Sequence, residues 1–129
     1  MKYISYEQLL LLHSLVIDET GGLHGVRDQH SLLALVDLSH QKAFGEELYK
    51  GIFMKAALYV RNIIKNHPFL DGNKRTALTS ALVFLEINDI SINDPRGELL
   101  EAMLKIAQGE MSKVNFAQIL RSLAESTSN

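Results

Sequence analysis

The sequence predicts an all-α fold in which about six helices surround a buried central helix. Apolar residues recur three or four positions apart in each long segment, and this spacing places them on one face of a helix. Short alternating runs of the kind that form strands are scarce. Residues 73–88 are apolar on nearly every face, which is typical of a buried helix. We therefore expect this segment to be the central helix.

Length and composition predict one domain over residues 1–129. A chain of 129 residues can bury about two-thirds of its unfolded surface around a single core. Its formal net charge of −2 gives no support for direct nucleic-acid binding, and the lack of cysteine excludes disulfides and thiolate metal sites. No apolar run approaches the roughly 20 residues of a membrane span, and the first residues lack a signal-peptide pattern. We expect a cytoplasmic protein without a membrane partner.

Capping residues and glycines set the expected limits of the helices in the first half of the chain. Ser5 and Gln8 form a capping box, and Gly21 with Gly22 ends the helix that follows. Asp28 is a favoured N-cap for a second helix. The expected elements are helices over residues 6–19, from 28 onward, over 46–50 and over 52–66, with a turn over 39–45.

Similar signals divide the second half of the chain. Asp94 is expected to be an N-cap with Pro95 in the first helical position, and Gly109 to stop that helix. Ser112 is expected to cap the last helix. The other expected elements are a connection over residues 89–93 that is extended at 90–92, a helix end near 108 and a frayed polar tail over 124–129.

The stretch HPFLDGNKR, residues 67–75, concentrates the chemically active side chains. Pro68 disfavours helical backbone angles at the preceding residue, so the helix before it is expected to stop near Asn66. Gly72 lets the backbone turn and approach a ligand without a Cβ in the way. The first amides of the next helix lack internal partners and, with the helix dipole, form an anion site.

The charges of this stretch favour a phosphate site. Lys74 and Arg75 lie at the helix end where a purely structural helix favours acidic residues, and a bound polyphosphate resolves that conflict. Asp71 can hold Mg²⁺ together with phosphate oxygens, and His67 can take a proton from an attacking hydroxyl. Each residue also has a structural explanation: a helix cap for Asp71, the turn for Gly72 and a surface imidazole for His67.

The stretch HPFLDGNKRT resembles the signature loop of the Fic/Doc family, whose wider pattern is H-P-F-x-[D/E]-G-N-G-R. In the Fic branch a glycine follows the asparagine, and a second arginine follows three positions after the first. Lys74 and Leu78 occupy these positions here. Both departures match the Doc branch, with the pattern H-x-F-x-[D/N]-[A/G]-N-K-R. The similarity covers most of the chain and implies a Fic-like helical bundle, although only residues 67–75, the signature loop, are diagnostic.

The resemblance implies the toxin of a toxin–antitoxin pair, an enzyme that transfers the γ-phosphate of ATP to a hydroxyl of a translation factor in the presence of Mg²⁺. Elongation factor Tu is the expected target. The implied partner is an antitoxin similar to Phd, whose disordered C-terminal segment folds as a helix in an apolar groove. By position, the implied roles are general base for His67, metal ligand for Asp71, anion nest for Gly72 and Asn73, and phosphate binding for Lys74 and Arg75.

Two alternatives to this function remain open. One is a protein adenylyltransferase, which transfers AMP and releases pyrophosphate as the Fic branch does. The other is a non-catalytic domain that binds a peptide or an anion. Lys74 and Leu78 favour phosphate transfer under one hypothesis. Lysine would fill the space beside the base and leucine would remove the second arginine, so that the nucleotide binds with its γ-phosphate, instead of its α-phosphate, nearest His67.

The remaining histidines lack the spacing of a metal site. His13 is expected in the core or an interface, since no second ligand lies at metal spacing. His24 and His30 are expected to be solvated, because nothing completes a ligand set. Residues 24–30 are the candidate for the segment, called a flap in the family, that lines up the target.

Three further side chains have a favoured structural explanation and an open functional one. Arg27 is expected to pair with Asp28, although contact with substrate is an alternative. Phe69 is expected to anchor the signature loop in the core. Lys65 is expected to complement the end of its own helix, although it can also add positive potential at the site.

Overall fold

Six helices and two short antiparallel ribbons form the part of the chain that this computed structural model describes, residues 1–40, 42–43, 46–47 and 51–126. The predicted all-α class is therefore confirmed. No helix in these ranges combines the length and apolar character that a membrane crossing requires. In chain order the elements are α1 Tyr6–Thr20, α2 Gln29–His40, β1 Lys42–Ala43, β2 Glu46–Glu47, α3 Ile52–Asn66, α4 Asn73–Glu86, β3 Ile90–Ile92, α5 Glu98–Ala107, α6 Lys113–Leu123 and β4 Ala124–Ser126.

Local capping begins and ends several helices where the sequence predicts. The Ser5 hydroxyl accepts a hydrogen bond from the Gln8 amide at 3.1 Å, and the Gln8 side chain accepts one from the Ser5 amide at 2.8 Å. Gly21, with φ 84°, follows α1. The Ser112 hydroxyl caps α6 by accepting from the Asn115 amide at 3.1 Å. These bonds join residues only three positions apart, so the sequence alone predicts them.

The centre of the bundle is shared by α3 and α4. Residues 55–60 of α3 are all buried, and α3 packs against α2, α4, α5 and α6. α4 packs against α1, α3 and α5 and buries Ala77, Ala81, Phe84 and Leu85. The predicted core position of α4 is confirmed, although other apolar side chains of α4 are only partly buried. The signature loop joins these two helices and is therefore held by the core at both ends.

A buried lysine connects three segments near the start of α3. Lys55 is fully buried, and its Nζ donates to the Tyr3 hydroxyl at 2.9 Å and to the Ser39 carbonyl oxygen at 2.6 Å. The neighbouring phenol of Tyr59 is also fully buried, and this burial raises its pKa above the ordinary value. The polar cluster joins the N-terminal segment and the end of α2 to α3.

The segment between α2 and α3 differs from the prediction. The expected short helix over residues 46–50 is wrong at its first two residues, which form β2 and pair with β1 in antiparallel register. The expected turn over 39–45 is wrong at its start, where two residues belong to α2, and at 42–43, which form β1. The other residues of both segments lie outside the described residues. Pairing between backbones overrides the helix propensity of the two glutamates here.

A second ribbon involves the C-terminal segment. The expected extended stretch at residues 90–92 is confirmed as β3, and β4 pairs with it so that Ser91 lies opposite Glu125. The expected frayed tail is therefore wrong at residues 124–126, because the backbone groups of β3 find their partners there. Residues 127–129 lie outside the described residues.

The start of α5 also differs from the prediction. The helix begins at Glu98 rather than at Pro95, because Gly97 adopts a left-handed conformation with φ 70° that interrupts the helical path. Gly97 occupies the N-cap position, so the expectation of Asp94 as the N-cap is wrong. Asp94 still supports the start of the helix from three residues earlier, because its two carboxylate oxygens accept from the amides of Glu98 and Leu99 at 2.8 and 3.0 Å.

Candidate active site

The signature loop begins with a strained histidine. α3 ends at Asn66 as predicted, and His67 follows in the left-handed region with φ 46° and ψ 58°. Pro68 favours an extended conformation at this position, so the left-handed angles were not predicted. The His67 amide donates to the Ile63 carbonyl oxygen at 3.1 Å, as in a helix C-cap. The left-handed conformation costs a residue with a Cβ about 1–2 kcal/mol of conformational free energy, so other contacts must stabilise the backbone of His67.

The contacts that hold His67 come from the segment before α2. Arg27 Nε donates to the His67 carbonyl oxygen at 2.7 Å, and an Nη of Arg27 donates to the Asn66 carbonyl oxygen. The backbone amides of Arg27 and Asp28 both donate to the Pro68 carbonyl oxygen, at 2.7 and 3.0 Å. The expected pairing of Arg27 with Asp28 is wrong, because three backbone carbonyls at the end of α3 offer acceptors to this segment. The Asp28 carboxylate instead caps α2, as predicted, by accepting from the Ser31 amide at 3.1 Å.

The candidate flap, residues 24–30, lies along the signature loop. Val26 and Phe69 form an antiparallel bridge, and the Leu70 amide donates to the Gly25 carbonyl oxygen at 3.1 Å. Gly25 has a φ of 128°, a backbone conformation that favours glycine, and a Cβ there would also lie 2.9 Å from the end of the exposed Leu70 side chain. The position predicted for the flap is therefore consistent with the structure, and its role in aligning a target stays a prediction.

The middle of the loop is closed by an asparagine and an aromatic ring. The buried Asn73 side chain accepts from the Phe69 amide at 3.0 Å and donates to the Phe69 carbonyl oxygen at 2.9 Å. The Phe69 ring is buried and stacks on the His13 ring with centroids 3.9 Å apart. Phe69 is therefore the predicted core anchor. The side chain of Asn73 is bound within the loop, whereas its backbone amide is available to an anion.

His13 supports the loop from α1. It is buried, as predicted, and its Nε2 donates to the Asp71 carbonyl oxygen at 2.8 Å. The other two histidines of the sequence prediction, at the two ends of the candidate flap, are exposed, and His24 Nε2 lies 2.9 Å from a carboxylate oxygen of Asp18. Within the described ranges, no group of three or more histidine, aspartate or glutamate side chains is arranged to hold a metal ion.

The carboxylate of Asp71 is bound by the segment between α1 and α2. Its Oδ2 accepts from the Leu23 amide at 2.7 Å, and it forms no capping bond to α4, so the explanation of Asp71 as a helix cap is wrong. The Oδ1 atom has no hydrogen-bond partner among the described residues. A single carboxylate that shares a cation with phosphate oxygens is a usual arrangement for Mg²⁺. Asp71 therefore fits the predicted role of metal ligand.

The start of α4 presents unpaired donors and positive charge. Gly72 precedes the helix with φ 74°, and the first bond into the helix runs from the Thr76 amide to the Gly72 carbonyl oxygen at 2.9 Å. The amides of residues 73–75 have no acceptor within the part of the chain that the structure describes. Lys74 and Arg75 are exposed, and no described carboxylate lies within ion-pair distance of either. This helix end can bind an anion through amides, dipole and two cations.

The six predicted site residues lie around one cavity of about 410 Å³, which we call the nest cavity. His67 also borders a second, larger cavity of about 860 Å³ between α3 and the turn from α5 to α6. Arg61, Lys65 and Lys113 line the larger cavity beside the apolar side chains of Ile64 and Ile106. His67 is thus positioned between two cavities. The residues around the nest cavity are His67, Leu70, Asp71, Gly72, Asn73, Lys74 and Arg75.

Comparison with known proteins agrees with the motif. The model of the Fic/DOC family matches residues 3–85, from the segment before α1 to the last turn of α4. The chain belongs to the Fic/Doc family. The matched region contains the signature loop and every residue described above that contacts it. The resemblance predicted from residues 67–75 is therefore confirmed.

Two relatives place the chain closer to the Doc branch of the family. It is 37% identical over 123 residues to "Protein kinase doc" of Escherichia phage P1. This alignment covers 95% of this chain and 96% of that relative. It is 34% identical over 91 residues to "Toxin Doc" of Mycolicibacterium smegmatis, in an alignment that covers 70% of this chain and 68% of that relative. Both names agree with the Doc branch that Lys74 and Leu78 predict.

Sequence reasoning did not identify the residues that support the loop from a distance. The amide of Leu23 and the guanidinium of Arg27 belong to a segment that was predicted only as a flap. For His13, the burial was readable from its place on the apolar stripe of α1, and the bond to Asp71 was not. The larger cavity was also missed, since it is formed by segments that are far apart in the sequence. Lys65 lies in the last turn of α3, as expected, and it also lines this cavity.

Proposed function

We propose that this chain is the toxin of a toxin–antitoxin pair and that it transfers the γ-phosphate of ATP to a hydroxyl of a translation factor. Elongation factor Tu is the expected target. The observation that carries the proposal is the arrangement of the nest cavity, in which His67 and the unpaired amides of residues 73–75 border the same space. The names of the two relatives, "Protein kinase doc" and "Toxin Doc", support it.

The residues of the nest cavity suit a transfer that depends on position and charge. The amides at the start of α4, with Lys74 and Arg75, would bind the phosphates and balance their negative charge. His67 would accept the proton of the target hydroxyl as its oxygen forms a bond to the γ-phosphorus. The bond from that phosphorus to the β–γ bridging oxygen breaks, and ADP leaves. Asp71 would hold Mg²⁺, and the bound ion would supply positive charge that balances the phosphates.

Two residues favour transfer of phosphate over transfer of AMP. Lys74 is exposed and borders the nest cavity where the Fic branch has glycine. Leu78 is partly buried against the core where the Fic branch has a second arginine. With a lysine beside the base and no second arginine to orient the nucleotide, ATP would bind in the reversed direction, with its γ-phosphate nearest His67.

The direction of binding is tested with ATP labelled at either end. The chain is incubated with purified elongation factor Tu, Mg²⁺ and ATP that carries label at the α or the γ position. We expect stable label on the target from the γ-labelled ATP only, and none with His67→Ala. Stable label from the α position would show adenylyltransfer and would overturn the proposal. No label from either, with a growth effect that His67→Ala retains, would favour a non-catalytic binding domain.

The proposed partner is an antitoxin similar to Phd whose C-terminal segment folds when it binds. The name of the relative "Toxin Doc" supports a toxin with such a partner. Expression of this chain should arrest growth and protein synthesis, and co-expression of a small protein encoded immediately upstream should relieve the arrest. Growth that is unaffected by the chain alone would contradict the toxin proposal.

A further inference from the structure

The loop contacts suggest a role for a residue outside the signature loop. We propose that Arg27 is a positioning residue that fixes the direction of the His67 imidazole by binding the backbone carbonyls at the end of α3. The inference rests on the proposed function for the role of His67. It concerns how His67 is held, which can be measured without any phosphate transfer.

The first step of the argument is the geometry of the guanidinium. Arg27 Nε donates to the His67 carbonyl oxygen at 2.7 Å, and an Nη of the same group donates to the Asn66 carbonyl oxygen. Two consecutive carbonyls are therefore bound by one planar group. Arginine presents rigid, forked donors for such a pair, whereas lysine presents a single flexible ammonium. The positive charge also lies at the C-terminal end of a helix, where a cation is favourable.

The second step concerns His67 itself. Its backbone is left-handed, with φ 46°, a conformation that a residue with a Cβ keeps only where its surroundings impose it. The side chain is exposed, and no residue in the described ranges forms a hydrogen bond with its ring. The direction of the ring therefore depends on the backbone, and Arg27 is the side chain that binds this backbone.

The third step excludes the simpler role of a substrate ligand. Two donor groups of Arg27 are already committed to backbone oxygens, and Arg27 is not among the residues that border the nest cavity or the larger cavity. Lys74 and Arg75 border the nest cavity directly and have no carboxylate partner among the described residues. Within the nest cavity, the side-chain charges that face a phosphate are therefore those of Lys74 and Arg75.

The kinetic test compares Arg27→Ala, Arg27→Lys and the matched control Arg96→Ala, an exposed arginine near α5. We expect Arg27→Ala to lower kcat at least about tenfold with KM for ATP nearly unchanged, because a misplaced base slows the transfer without weakening nucleotide binding. Arg27→Lys should restore only a minor part of kcat, and Arg96→Ala should match the wild type. A raised KM with kcat retained would show that Arg27 binds ATP and would overturn the inference.

The second measurement needs no activity. Ring signals of His67 are followed by NMR in the absence of ATP, with the exposed His40 as internal reference and thermal unfolding as a check on folding. Arg27→Ala should shift and broaden the His67 signals while those of His40 stay in place. Unchanged His67 signals in a folded variant would refute the positioning role. If the wild type transfers no phosphate, the proposed function fails and this measurement still decides the role of Arg27.

Discussion

Both ends of α3 lie beside a cation that binds carbonyl oxygens at the end of a helix, but the two cations differ in burial. Near the start of α3, Lys55 is fully buried and binds the Ser39 carbonyl oxygen, which belongs to the last turn of α2. After the end of α3, Arg27 is exposed and binds the carbonyl oxygens of Asn66 and His67. The same interaction between a cation and a helix end is used twice.

From this difference we expect the buried end of α3 to contribute to stability and the exposed end to contribute to the proposed phosphate transfer. A buried charge must keep its partners, since losing one leaves a desolvated polar group, so the Lys55 cluster is a fixed part of the core. An exposed cation exchanges its partners for water at little loss, so Arg27 adds little to overall stability. What Arg27 can change is the local geometry of His67. Substitutions at the Lys55 end should lower stability, whereas those at the exposed His67 end should lower activity.

The largest expected effect is at the exposed end. His67→Ala should lower the transfer rate by about 10²–10⁴-fold, which corresponds to about 3–5 kcal/mol of transition-state stabilisation. The free energy of unfolding should change by less than about 0.5 kcal/mol, because the side chain is exposed. Labelled transfer and denaturant unfolding measure the two quantities, with His40→Ala as the control. A variant that keeps the full rate would remove His67 from the mechanism.

Asn73 should affect both stability and activity, because it is buried within the signature loop. Asn73→Ala removes two hydrogen bonds to the buried backbone of Phe69, so the free energy of unfolding should fall by about 2–3 kcal/mol. The transfer rate should fall as well, since the loop loses its closure. Denaturant unfolding measures the fall in the free energy of unfolding, and Asn115→Ala, at an exposed asparagine, is the control. A fall in activity at unchanged stability would contradict the structural role of this side chain.

At the buried end, the substitution Lys55→Met should lower the free energy of unfolding by about 2 kcal/mol. Methionine keeps most of the volume but removes the donor from the Ser39 carbonyl oxygen and the Tyr3 hydroxyl. The exposed Lys105→Met is the control and should change stability by less than about 0.5 kcal/mol. Chemical unfolding measures both. A Lys55→Met variant as stable as the wild type would show that desolvation of the ammonium offsets its bonds.

The smallest expected effect is a pH dependence at the buried end. Because burial raises the pKa of Tyr59 above the ordinary value of 10.0, the folded state retains the phenol proton over a range in which the unfolded state loses it. The stability from this group is complete below about pH 10 and falls as pH rises further, by at most about 1.4 kcal/mol per pH unit. Unfolding curves above pH 10 measure the fall. The free energy of unfolding should fall less steeply with pH in Tyr59→Phe than in Tyr6→Phe. Equal pH slopes in the two variants would contradict the prediction.

The sequence was most informative where the interactions are local. The capping bonds of Ser5 and Ser112 and the helix end at Asn66 depend on nearby residues, and all were predicted. β2 and β4 were missed, because pairing with a second segment decides their structure. The six candidate site residues were named together because all lie within one stretch from His67 to Arg75, and their roles stay a prediction. The contacts of Arg27 and the larger cavity were missed, because both depend on how distant segments pack.

The bonds that hold the signature loop determine when during folding the candidate site can form. Four of the bonds that hold it, from His13, Leu23 and Arg27, span 39 to 58 positions of the chain. Contacts over such distances form after local helices, since a long loop must first be closed. A fragment that lacks the first 27 residues contains all of HPFLDGNKR and none of these bonds. A chain truncated before α2 would therefore keep the motif and lose the contacts that hold its backbone in place.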